Sequence, residues 1–276
     1  MRGERFQMSD SMKVAAFIVL SGGFQDAYTY CSRGAVFANA QTGNIVLMAS
    51  SIIHGNWAGV LKYLIPVTAF MLGTGASERI HTRFRNCERI HWRQLILLYE
   101  IALLFLVGFI PQRLNPLANA MVSFVCAMQV QSFHTVYGHV YASTMCIGNL
   151  RGAVEAFCRY RQTRDAMLLR RSLTYFSVIF LFAVGAGAGA LVSERFGNGA
   201  IWVCCALLSV GAIMMFRPED SGNLRLTSPF RSPIIERREG DFLWRLRANI
   251  WNTCASGWNA SARCGKRKCS AITFCI

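Results

Sequence analysis

The sequence predicts an all-α protein, a polytopic transmembrane helical bundle built as two inverted repeats. Three observations lead there. Of 276 residues, 53% are hydrophobic and 16% charged, against about 25% charged in soluble domains. The apolar residues fall in long runs: residues 95–110 hold one charge, Glu100, and residues 175–192 hold none. Runs of about 18–20 apolar residues are membrane-span candidates, and the alternation of a membrane β-barrel is not visible. Finally, a shift of 105 residues lays Gly43–Asn44 on Gly148–Asn149, Asp26 on Gln131, Ala38 on Ser143 and Asn39 on Thr144, the mark of an internal repeat.

Eight apolar segments follow in order: residues 12–31, 34–54, 60–78, 94–111, 116–136, 139–158, 172–193 and 198–216. Segment 1 follows a basic start (Arg2, Arg5, Lys13) and looks like a signal peptide, with Ala38-Asn39-Ala40 as a small-x-small site. Asp26 and Arg33 lie between that site and the apolar stretch, so cleavage is not expected. Segment 2 opens on a polar knot, "FANAQTGN", residues 37–44. Gly43 permits backbone angles that other residues avoid, and Thr42 and Asn44 are capping types, so the knot reads as a helix break. The following helix start is either simply capped or aims its partial positive charge at a polar or anionic ligand. Asn39 and Asn44 lack the Ser or Thr of a glycosylation sequon; Asn259-Ala260-Ser261 has it, in a tail expected to be cytoplasmic.

Segments 3 and 7 carry matching "FMLGTGA" and "FAVGAGA" stretches at a slightly larger shift. Gly73, Gly75, Gly185, Gly187 and Gly189 there give small faces for close helix packing. Without a strand–turn–helix context they are not a nucleotide fingerprint. Segment 4 holds Glu100, either a buried acid bonded to a neighbouring helix or a proton-coupling group. Segment 5 holds Gln131. His134 and His139 beyond it read as hydrogen-bonded interior groups, and a metal is not expected. Segment 6 holds Asn149, Arg151 and Glu155; Arg151 can pair with Glu155 at i,i+4 or with Asp26. The remaining candidate for proton coupling is Asp26 itself, since a carboxylate at membrane depth needs a partner or a function.

Residues 217–276 are polar and basic. Residues 241–251, "DFLWRLRANIW", place Phe242, Leu243, Leu246 and Ile250 on one helical face between arginines, so an interfacial helix and disorder both stand. Cys254, Cys264, Cys269 and Cys275 lack a zinc pattern and read as free thiols; Cys126, Cys146, Cys158, Cys204 and Cys205 lie in or beside apolar segments as small hydrophobes.

The net charge of +15 comes from loops. Arg79, Arg83, Arg85, Arg89 and Arg93 follow segment 3; Arg159, Arg161, Arg164, Arg170 and Arg171 follow segment 6. The positive-inside rule puts both loops in the cytoplasm. Segments 4, 5 and 6 join them and so cross an even number of times, which leaves one net crossing for 5 and 6 together. By the repeat, 1 and 2 do the same. Each repeat makes three net crossings, residues 1–111 and 112–216, and an odd count inverts the second. Broken or re-entrant segments at the Gly-Asn motifs supply the parity, the layout of inverted-repeat transporters.

"GGFQDAYTYCSRGAVFANAQTGN", residues 22–44, resembles the signature of the DUF1275 (YoaK-like) membrane proteins: G-F-x-D-A, a phenylalanine, then T-G-N. The Phe-x-x-Gly-x-Gly-Ala stretches at Phe70 and Phe182 and "AMQVQSF", residues 127–133, also look like that family's. The second repeat departs, with Ile147 where a second Thr is usual. The resemblance implies a bacterial inner-membrane protein of about six spans, suspected of transport. The expectation is therefore a small-molecule transporter, with Asp26, Gln41, Thr42, Asn44, Gln131, Asn149 and Arg151 as substrate-binding candidates and Asp26, Glu100 and Glu155 as proton-coupling candidates. A non-transporting scaffold or sensor is the alternative. No cofactor, metal, nucleic acid or catalytic residue is expected; the partners are the bilayer and a small molecule, with a homo-oligomer left open. Both termini are expected in the cytoplasm.

Overall fold

A computed structural model describes residues 12–84, 92–133, 135–136, 139–140 and 146–216. The basic tail with its cysteines, its sequon and residues 241–251, the N-terminal Arg2 and Arg5, the loop arginines Arg85 and Arg89, His134, and Ser143 and Thr144 of the repeat lie outside the described residues. Among the described residues eight α-helices run in order: α1 Met12–Ser32, α2 Gln41–Ile53, α3 Trp57–Phe84, α4 Trp92–Val107, α5 Asn115–Ser132, α6 Cys146–Thr163, α7 Ala166–Phe196 and α8 Trp202–Phe216. Thr135–Val136 pairs antiparallel with His139–Val140 between α5 and α6.

The expected segments each return one helix, with three differences. Residues 34–40 are not helical, and α2 has only 13 residues, about 20 Å of rise against a hydrocarbon core of about 30 Å. Helix α6 starts at Cys146, later than its apolar run, and carries its charge past residue 158. Helices α3 and α7, 28 and 31 residues long, continue into the arginine-rich stretches. The Asp165 side chain accepts the Met167 N–H at 2.9 Å and so starts α7 early. Trp57–Phe84 and the stretch Ala166–Met215 are long and apolar enough to cross a membrane.

The ends of the elements follow local chemistry. Gly34 (φ +91) and Ala35 (φ +57) stop α1 with a left-handed turn, the Ala35 N–H reaching back to Tyr30 O at 2.9 Å. A proline in the first turn of α5 fits where no donor is needed.

Glycines set the packing. Helix α7 lies on α1 and α3 on α5. A Cβ on Gly185 would fall on the Leu20 carbonyl, one on Gly189 on Phe24, and one on Gly23 on the Phe182 carbonyl; Gly73 stands against the Phe124 carbonyl in the same way. Both pairs run parallel, since Leu20, Phe24 and Ser32 meet Gly185, Gly189 and Ser193 in the same order. Gly75 and Gly187 have no atom within 4 Å of a built Cβ, so the expected small face is every other glycine only. Helix α2 packs on α3 as α6 packs on α7, α8 on α1 as α4 on α5, and α4 meets α8. The larger contacts between helices therefore come in pairs related by exchanging the halves, whereas that of α3 with α4 has no counterpart of similar size between α7 and α8.

Beside the buried apolar residues, polar side chains are fully buried and large apolar ones exposed, the informative departures from a water-soluble domain. Gln25, Arg33, Asn44, Glu100 and Gln129 are all 0% exposed, while Ile53 is 84% and Leu191 71% exposed. The main apolar core, with Ile18, Phe24, Leu97, Leu104, Val122 and Leu208 among its members, ties α1, α4, α5 and α8 together. Ala15, Val19, Ala153 and Tyr175 join α1 to α6 and α7.

Candidate functional site

After Arg33 the chain turns back along α1. The Asn39 N–H donates to Asp26 Oδ1 at 2.6 Å and the Asn39 amide to Gly22 O at 3.2 Å. The loop is thus pinned one helical turn apart on α1, beside its middle. The carboxamide of Asn44 closes the loop on itself: Oδ1 takes the Phe37 N–H at 3.0 Å, and Nδ2 gives to Phe37 O at 2.7 Å and Gln41 Oε1 at 2.9 Å. Gln41 donates to Ala38 O at 2.7 Å. The Phe37 ring stacks on Tyr30 at 4.9 Å and lies over Gly43, where a Cβ would collide with it.

Two expectations change here. The N-cap of α2 is Ala40, with no side-chain cap bond, and Thr42 and Asn44 lie inside the first turn. Asn44 reaches back to Phe37 instead of capping, and Thr42 is exposed. The capping charge is Asp26, supplied from α1 to the positive end of α2. Asp26 therefore meets the loop backbone, with Arg151 exposed elsewhere. Hydrogen bonds to charged groups contribute about 1.5–3 kcal/mol. Asp26→Ala is expected to lose that much stability and Asp26→Asn less, as read by thermal unfolding in detergent; an unchanged midpoint in the alanine variant would discard the tertiary cap.

A second polar cluster lies beside the first. Gln25 Nε2 donates to Ser21 Oγ at 2.9 Å and to Glu100 Oε1 at 3.2 Å, and Gln25 Oε1 accepts the Cys126 S–H at 2.7 Å. Glu100 Oε2 is buried without a hydrogen-bond partner among the described residues. Glu100 is thus bonded to a neighbouring helix, as one of its two expectations held. Sequence reading passed over Gln25, although a second polar side chain next to Asp26 within an apolar run was its signal.

The other candidates disperse. Gln131 sits in the last turn of α5 and donates to Glu78 Oε2 at 3.2 Å, at one end of the bundle. Asp26, its counterpart under the repeat shift, bonds instead to the loop backbone at Asn39. Glu155 pairs with Arg159 at 2.9 Å and not with Arg151, because Glu on the N-terminal side of Arg is the better i,i+4 order. Asn149 is 2% exposed. The Cys146 thiol lies within electrostatic range of the Asp26 carboxylate, which brings the start of α6 toward the first loop. Ile147 is 83% exposed and its counterpart Thr42 is exposed too, so the missing hydroxyl takes nothing from the packed interior.

Arg33 was also missed. It is fully buried and binds Tyr28 Oη at 2.7 Å, Ile110 O at 2.8 Å, Asn115 Oδ1 at 3.1 Å and Val107 O at 2.9 Å. Tyr28 donates to Asn198 O at 3.1 Å and Asn198 to Ile110 O at 3.1 Å. The C-terminal ends of α1, α4 and α7 are tied by this network. Ser77–Ser132, at 3.0 Å, and the bond from Gln94 to Met215 O, at 3.1 Å, lie at the opposite end.

Among the described residues, no three His, Cys, Asp or Glu side chains are grouped to hold a metal ion. A family model described as "Protein of unknown function (DUF1275)" matches residues 14–214. No curated protein and no solved structure matches the chain.

Proposed function

The chain belongs to the DUF1275 family, and on that premise we propose that it is a multi-pass inner-membrane transporter of a small molecule, with a substrate site where two broken segments meet near the bilayer midplane. The observation that carries this reading is the half-length α2, which starts beside the middle of α1 and is held there by Asp26. Irregular backbone at such depth persists only where protein or a watery cavity satisfies it.

Three further features support it. Apolar residues outside and polar residues inside suit a lipid surround. The exchange of contacts between halves suits an inverted repeat, with α1, α3 and α4 crossing in the first and α5, α7 and α8 in the second. Cys146 in range of Asp26 suits two breaks that approach each other. With both arginine-rich loops cytoplasmic, six crossings place both termini there as well. Asp26, Gln41, Thr42, Asn44, Asn149 and Arg151 remain the proposed contacts; Thr42 and Arg151 are exposed, whereas Gln41 and Asn44 are engaged within their loop.

The engagement of Gln41 and Asn44 within their own loop also favours a second reading, a scaffold or sensor in which the knot is purely structural. A proteoliposome uptake screen separates the two. Transport predicts flux of one compound class that drops at least tenfold in Asp26→Asn; no flux across a broad panel leaves the scaffold. Cysteine labelling of residues 79–93 tests the orientation, since reaction from outside intact cells reverses it.

A further inference from the structure

Three acids were candidates for carrying a proton, and their surroundings separate them. Glu155 is half exposed and already paired with Arg159 at 2.9 Å. Asp26 receives a backbone N–H at the positive end of α2, so its negative charge is met by the loop it holds. Glu100 has neither: it is 0% exposed, one oxygen takes a single neutral donor at 3.2 Å, and the other has no hydrogen-bond partner among the described residues.

Gln25 cannot supply more. Its two amide hydrogens go to Ser21 and Glu100, and its oxygen is taken by Cys126. The groups presented to this region are neutral: Ser21 and Gln25 from α1, Cys126 from α5, and from α8 Cys204 and Cys205, whose thiols turn to the carbonyls of Ser21 at 3.9 Å and Ile101 at 3.7 Å. Asp26 is the adjacent residue on α1, and its bond is to Asn39. A carboxylate so enclosed requires a positive partner. A metal ion would require several further ligands, and no group of three ligating side chains is present among the described residues.

We propose that Glu100 is a proton-binding site, its carboxyl oxygen forming an O–H bond with a proton from water and returning it to water when the helices around it part. Its use for coupling rests on the transport reading above; the binding itself does not. Glu100 stands on α4 and Gln25 on α1, so loss of the Gln25–Glu100 bond ties the protonation state to movement of α4 against α1.

The test is infrared difference spectroscopy of the full-length protein in lipid, stepped through pH. A carbonyl band of a protonated acid is expected that bleaches as pH rises, is lost in Glu100→Gln and survives in Asp26→Asn. Gln25→Leu is expected to shift its frequency, because one hydrogen bond to that carboxyl is gone. A band that persists in Glu100→Gln, or no protonated-acid band at any pH, overturns the proposal. If Glu100→Gln does not elute as a folded species, ¹³C-glutamate labelling of the wild type decides: a band that fails to shift is not from glutamate and overturns it too. A Glu100 band without flux in the uptake screen leaves the site standing and removes the transport reading; flux with no such band does the reverse.

Discussion

Replacing Arg33 by methionine is expected to lower the unfolding midpoint in detergent on the order of 10 °C, the largest loss for any single side chain in the bundle. The guanidinium is fully buried, yet its hydrogen-bond acceptors are a phenol, an amide and two carbonyls. Its counter-charge is the C-terminal end of α4, whose last residue is Val107 and whose extension includes Ile110: the negative end of a helix dipole, with carbonyls lacking intrahelical donors. The ring of Tyr28 adds a face at 5.5 Å. Methionine matches the stem but supplies no donor, so the Tyr28 oxygen and both carbonyls lose a hydrogen bond, with only the Asn198 amide left on Ile110 O and the Ile110 N–H on Val107 O. Removing one partner of a buried charge arrangement costs about 3–5 kcal/mol. Arg33→Lys keeps the charge without the planar fork and is expected to lose about half as much. A methionine variant that melts with the wild type refutes the network as a structural tie.

The second large effect is a contrast of sign between two glycines one residue apart in the same run. Gly185→Ala puts a methyl group on the Leu20 carbonyl. That neighbour is backbone, so relief requires α1 and α7 to separate, and overpacking of this kind costs about 1–3 kcal/mol or more. Gly187→Ala meets nothing within 4 Å and removes a helix-interior glycine, a gain of up to about 1 kcal/mol. Thermal unfolding of both variants under one condition reads the difference. Equal shifts would mean that the close approach of α1 and α7 is wrong.

Helix positions were legible because apolar runs this long leave little else for the chain to form. The place of the knot was legible too, since Asn39, Gln41 and Asn44 interrupt such a run. What those residues do was not. Whether Asn44 caps forward or folds back on Phe37 depends on the turn at Gly34 and Ala35, and a left-handed Ala35 has no signature in composition. Asp26 was marked as costly at depth, but its partner is a backbone N–H, which every residue possesses and no motif records. Arg33 was passed over because it follows a run instead of interrupting one; its partners are carbonyls from a connection far along the chain.

The parallel seating of α1 on α7 also bears on how the protein is made. Ser32 and Ser193, which meet at the end of that contact, are separated by 161 positions. At about 5–20 residues per second, α1 leaves the ribosome roughly 10–30 s before its main partner exists. Through that interval the face of α1 around Leu20, Gly23 and Phe24, which α7 finally covers, must be sheltered by something other than its final neighbour. A truncated chain ending before α7 is therefore expected to be degraded, and co-expression of the missing part to rescue it.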